Sequence, residues 1–158
     1  MNIKCFFKNI NNQPHCAIYH NGIEYYSGPV VPTIDITTSH CENTLLEILF
    51  TNKTPSDTIV NDSGEIISDK SFELERLIFD GFDIEEYIWE SEYITNDNNI
   101  YPSCLFFGPP GKFTLKFRGD ALAWVLRSRH EKYNNDPDWF EDYSYYMAAW
   151  KKLQQIQN

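Results

Sequence analysis

A chain of 158 residues, 42% hydrophobic and 16% aromatic, is long enough for one domain with a well-buried core, which argues against disorder. Its formal net charge of −10 sets it against sequence-independent nucleic-acid binding and against anionic membrane surfaces, since both are driven by cations meeting phosphates. Thirteen acids from Asp57 to Asp97 face only Lys70 and Arg76, so that stretch is either a solvated acidic sheet face or a surface for Ca²⁺ or a basic protein.

The opening residues MNIKCFFKNI are too short and polar for a secretory signal, and no apolar run reaches membrane-spanning length. The expectation is cytoplasmic synthesis without membrane insertion. Cys5, Cys16, Cys41 and Cys104 lack paired spacing and read as free thiols in a reducing compartment. His15-Cys16 and His40-Cys41, placed on strands, put neighbouring side chains on opposite faces, so each dipeptide offers a metal one ligand at most.

In chain order, Ile3–Phe7 is a short strand, and Cys16–His20 and Ile23–Tyr26 form a hairpin about Asn21-Gly22, a pair suited to two positive φ angles. Thr33–Thr37 is the next strand. In the one after it, Leu46, Ile48 and Phe50 alternate with Leu45, Glu47 and Leu49. Thr58–Val60 and Ile66-Ile67 flank the turn Asn61–Gly64, and a long strand follows with Phe72, Leu74 and Ile78 on one face, ending at the turn Asp80-Gly81. Tyr87 to Ile94 reads as a strand with Tyr87, Trp89 and Tyr93 on one side. The Gly108–Gly111 turn leads to a strand with Phe113, Leu115 and Phe117 inward.

Helical spacing then takes over. Asp120 caps a helix from Ala121 to about His130, with Leu122, Val125 and Leu126 on one side. A second helix is expected from Asp136-Pro137 to about Ile156, with an aromatic stripe that includes Trp139, Tyr143, Tyr146 and Trp150. That stripe must cover its own sandwich or a partner subunit. The pattern predicts a mainly β chain: an antiparallel, jelly-roll-like β-sandwich over 1–118 with a C-terminal helical segment over 119–158.

No phosphate-binding Gly-rich loop, G-x-S-x-G, H-E-x-x-H or cysteine-centred framework is present. The candidate cation site is Asp57, Asp62, Glu65 and Asp69, carboxylates around a tight turn of the kind Ca²⁺ prefers, without the twelve-residue calcium-loop pattern; otherwise no cofactor is expected. Arg118-Gly119-Asp120 reads as a strand-to-helix corner. The stronger lead is aromatic: Tyr25, Tyr26, Trp89, Tyr93 and Tyr101 lie on or beside strands among acids and amides, a setting that suits sugar rings or a protein interface.

The run KTPSDTIVNDSGEIISDKSFELERLIFDGFDI (residues 53–84), followed by the Pro/Gly turn and KFTLKF, resembles a jelly-roll β-sandwich module of tailed-phage and related bacterial proteins, similar in build to carbohydrate-binding modules. The resemblance covers roughly 33–118 and departs at Gly108-Pro109-Pro110-Gly111, where the module has a softer loop. It implies a non-enzymatic structural or attachment protein of a phage virion that binds a neighbouring subunit or a surface glycan. An acidic cytoplasmic immunity protein that neutralises a basic nuclease toxin is the alternative, with the Asp57–Asp97 charge steering its partner. A glycosidase on the same scaffold is the third reading.

Overall fold

The computed structural model describes residues 1–133. Two compact units divide the chain, Met1–Ala121 with every strand among the described residues, and Leu122 onward, which holds all but the first residue of the helix α1 (Ala121–Tyr133). The helix runs three residues past the expected His130. The expected second helix and its surface of Trp139, Tyr143, Tyr146 and Trp150 fall outside the described residues.

The first unit is an antiparallel β-sandwich. One sheet has the order β12 (Phe106–Phe107), β8 (Ser71–Phe79), β1 (Asn2–Asn11) and β4 (Thr33–Thr37), with β9 (Phe82–Asp83) turned back onto β8. The other has the order β11 (Ile100–Pro102), β10 (Glu92–Thr95), β13 (Gly111–Arg118), β5 (Asn43–Phe50), β2 (His15–His20) and β3 (Ile23–Pro29). A separate two-stranded arm, β6 (Ile59–Val60) and β7 (Ile66–Ser68), leaves the body between β5 and β8.

Period-two alternation builds the core. Leu46, Ile48 and Phe50 of β5, Phe113, Leu115 and Phe117 of β13, and Ile3, Cys5 and Phe7 of β1 are all buried, and the rings of Phe50 and Phe117 meet Phe72 and Phe79 across the sandwich. At its centre Phe72 stacks on Phe107 at 4.3 Å and meets Phe7 and Phe50 edge-on at 5.6 and 5.1 Å. Much of the aromatic content is spent here. The Asn21-Gly22 turn forms as expected, with φ of 50° and 79°, and the Asn21 amide is locked onto β5 by accepting from Leu45 N at 2.8 Å and donating to Asn43 O at 2.9 Å.

Three local expectations are corrected. Ile78 does not share a face with Phe72 and Leu74: the β1–β8 register slips between Phe6 and Phe7, leaving Glu75 as an extra residue. The bulge inverts the phase, so Leu77 and Phe79 point inward and Ile78 lies half-buried on the outer side. Tyr87–Ile94 is not one strand but a 3-10 helix over Glu85–Glu90 followed by β10. Ile84 O accepts from Tyr87 N at 2.7 Å and Ile88 N at 3.1 Å, which buries the sequence neighbours Tyr87 and Ile88 together, as a strand with one open face would not. His40-Cys41 lies in the exposed loop between β4 and β5 rather than on a strand, while His15 and Cys16 do split between solvent and core.

All four cysteines are free thiols. Burial pushes the Cys16 thiol up to about 12 and raises Cys5 further, so both behave as small apolar core residues.

His20 is also buried, at 2% exposure. Its Nδ1 lies 2.7 Å from Thr38 Oγ1, which donates in turn to the Tyr25 hydroxyl at 3.0 Å, and Nε2 has no partner. Burial, and then the positive N-terminal amine, lower its pKa from the ordinary value of 6.5. The unfolded chain therefore binds a proton at a higher pH than the folded one, so stability falls as pH drops through and below 6.5. Thermal melts between pH 7.5 and 5 should show a declining Tm in the native chain and a flatter profile in His20→Gln. Equal slopes would remove His20 from the account.

Candidate functional site

Of the five aromatic candidates, Trp89 and Tyr101 are the exposed ones, on segments that run close to each other. Trp89 sits near the end of the 3-10 helix and Tyr101 is central in β11, the outermost strand of the six-stranded sheet. Ser103, at φ 56°, ties them: its N–H donates to Ser91 O at 2.8 Å and its hydroxyl to Trp89 O at 2.5 Å. Trp89 is 58% exposed and Tyr101 46%. Glu90 and Glu92 are exposed beside them, and Phe106 follows on β12, the edge of the other sheet. Three exposed aromatic residues thus lie on segments at the β11 and β12 edges of the two sheets.

Tyr93 is not among them. It pairs directly with Tyr101 across the β10–β11 ladder, yet it is 1% exposed, because β10 has β13 on its other side and Phe107 over its ring at 5.0 Å. Its hydroxyl donates to Pro109 O at 2.6 Å, and burial raises its pKa well above the ordinary range. Tyr25 and Tyr26 lie on β3, at the opposite edge, five strand spacings or about 24 Å away. Both are half-buried and engaged: Tyr26 donates to Pro29 O at 2.5 Å, and Tyr25, the extra residue of a bulge opposite Ile18-Tyr19, accepts from Thr38.

The candidate calcium ligands are drawn apart by lysines. Asp57 lies 2.7 Å from Lys70 Nζ and accepts from Thr54 N and Thr54 Oγ1 at 2.7 Å each; the Lys70 ammonium foremost, then these bonds, holds its carboxyl well below the usual range. Asp69 pairs with Lys53, whose side chain is 4% exposed, and accepts from Thr58 Oγ1 at 2.6 Å. Asp62 and Glu65 sit apart at the exposed tip of the β6–β7 arm, where Glu65 accepts from Asn61 at 2.8 Å. Among the described residues no three His, Cys, Asp or Glu side chains gather in a way that could hold a metal ion. Two of the four carboxylates clasp the base of the arm and two decorate its tip. The signal in the sequence was the pair of lysines at the two ends of the excursion.

The remaining acids are similarly dispersed. Glu75 lies 3.8 Å from Lys8, Asp83 lies 3.6 Å from Arg76 and Glu73 accepts from Asn9 at 2.5 Å, all on the outer side of the five-stranded sheet. Among the described side chains, the Asp57–Asp97 charge is thus spread over the arm and both sheets and is partly met by Lys8, Lys53, Lys70 and Arg76.

No protein-family model matches the chain, and no curated protein matches it either. Two solved structures share its fold. One is vCBM60 in complex with galactobiose, at 11% identity and a TM-score of 0.52, covering 74% of this chain and 100% of that one. The other is the selenomethionine form of vCBM60, from work describing circular permutation as a link between two families of calcium-dependent carbohydrate binding modules; it has 11% identity and a TM-score of 0.52, covering 75% of this chain and 90% of that one. At that identity the likeness is one of architecture: the chain is an antiparallel β-sandwich built like a carbohydrate-binding module.

Proposed function

We propose that this chain is a non-enzymatic saccharide-binding module whose ligand stacks on the Trp89–Tyr101 edge. The observation that carries the reading is two large, exposed aromatic residues, Trp89 and Tyr101, on neighbouring segments whose main chains Ser103 joins, with the exposed acids Glu90 and Glu92 in the same segments. An exposed tryptophan in such a setting is the residue type that anchors binding surfaces. The fold it shares with vCBM60 agrees with this role. Asp57, whose pKa is shifted, is shifted down, the reverse of what a general acid needs. In the biological setting we favour, the module belongs to a phage virion and attaches it to a surface glycan or to a neighbouring subunit.

Calorimetric titration with galactobiose and a panel of related oligosaccharides tests the reading. Trp89→Ala and Tyr101→Ala, both at exposed positions, should each weaken binding by about tenfold or more, a loss of about 1.4 kcal/mol, with the fold unchanged by circular dichroism. Undiminished affinity in both variants would reject this edge as the site. Failure of the chain to co-sediment with phage particles would reject the virion setting while leaving saccharide binding intact.

A further inference from the structure

A second feature lies where β5 ends and β13 begins, beside β10: an open groove of about 580 Å³. Ile94, Lys112 and Leu49 stand opposite one another in register across these three strands, so two aliphatic side chains and the lysine stem between them line the groove, while the ammonium reaches to Glu47. Thr51 lines one side, and Asn96 and Asn98 line the other.

The loop that carries the two asparagines is rigid for reasons that leave their amides unused. Asp97 accepts from Thr95 Oγ1 and, at 2.7 Å, from Asn99 Nδ2. Backbone bonds Asn98 N to Thr95 O (2.9 Å), Thr95 N to Asn99 O (3.0 Å) and Asn96 N to Pro110 O (3.0 Å) close the turn, with Asn98 at φ 64°. Among the described residues, neither Asn96 nor Asn98 spends its side-chain amide on another group. Each presents two donors and an acceptor from a fixed backbone, so the ordering a ligand must impose is confined to the side chains.

We propose that this groove binds one neutral, hydroxyl-rich sugar ring, as a second saccharide site separate from the Trp89–Tyr101 edge. A pyranose has a C–H face for Leu49 and Ile94 and a rim of hydroxyls for Asn96, Asn98 and Thr51. The ligand is neutral because Glu47 already meets the Lys112 charge at 2.5 Å, leaving the ammonium donors but no unmet charge for an anion. The two sites are distinct because Ile94 and Lys112 project from the outer face of the sheet, whereas Tyr101 shares the face of its buried partner Tyr93. Four residues of β10 also lie between Trp89 and the groove loop. Two sites on one module would multiply its hold on a polyvalent surface.

This inference deepens the saccharide-binding reading and rests on it, and one experiment separates the two. Galactobiose is titrated into the ¹⁵N-labelled full chain, following the Trp89 indole N–H and the side-chain amides of Asn96 and Asn98. Both sets should move, with different concentration dependence. Asn96→Ala/Asn98→Ala should weaken groove binding, followed at the Thr51 and Lys112 amides, at least tenfold and leave the Trp89 shifts unchanged; Trp89→Ala should do the reverse. Movement at Trp89 with none at Asn96, Asn98 or Thr51 overturns the groove and spares the edge. Movement in the groove alone, surviving Trp89→Ala, overturns the edge and spares the groove. Shifts at both places that disappear together in Trp89→Ala overturn the separateness, and silence at both overturns the two readings together.

Discussion

Phe72→Ala should lower the stability of the sandwich by about 4 kcal/mol, the range found when a fully buried phenylalanine is truncated in a rigid core. Phe72 is 0% exposed, and its ring is held from both sheets: Phe107 and Phe7 on its own side, Phe50 on the facing one. Rings anchored on separate strands cannot all close on the void, so the cavity term adds to the lost transfer energy. It also removes the stacking partner that seats the two-residue strand β12 against β8. Urea unfolding should show a midpoint shifted down at an unchanged m-value. Phe106→Ala, one residue from the ring that Phe72 stacks on but 47% exposed, should move the midpoint little. A loss under about 1 kcal/mol for Phe72→Ala would mean that the core can collapse around the gap.

Gly111→Ala is the second large effect, expected at about 3 kcal/mol, the upper end of overpacking costs. A methyl group there would stand 2.6 Å from Ile94 O, 2.9 Å from Thr95 Cα and 2.9 Å from Tyr93 Cε1. Two of these are main-chain atoms of the paired strand, so no side-chain rotation relieves the clash and β10 must move off β13. Gly108→Ala is the instructive contrast. Its methyl would meet the ring of Phe106 at 2.5 Å, but that ring is half in solvent and can swing aside. Thermal melts should separate the two variants clearly, and amide exchange in Gly111→Ala should accelerate first along β10. Equal melting of the two would show that β10 gives way cheaply.

Much of this fold is legible in one dimension. Asn21-Gly22 and Asp80-Gly81 place turns because positive φ is demanded there, and β5 and β13 announce their faces through uninterrupted alternation. The failures have physical causes. A bulge at Glu75 reverses the phase midway along β8 without changing its composition. Tyr87-Ile88-Trp89 alternates in bulk like a strand, but the carbonyl of Ile84 gathers it into a helical turn. The site was less legible still. Tyr93 and Tyr101 look alike in sequence and face each other in space, and what separates them is that among the described residues β11 has no further neighbour, a property of strand order. The carboxylates of the arm show a related limit: Asp57 and Asp69 stand near the turn acids in sequence, while each pairs with a lysine from the opposite limb of the excursion, Lys70 and Lys53.

The lysine clasp has an evolutionary reading. By pinning both limbs where the excursion leaves the body, Lys53–Asp69 and Lys70–Asp57 make the stem of the arm a closed gate, and everything beyond it answers to its own local energetics. Doubling the chain beyond such a gate costs only about 0.6 kcal/mol in closure entropy. The tip at Asn61–Gly64 is therefore a place where peptide tags, epitopes or new recognition loops can be grafted while the sandwich beneath remains indifferent.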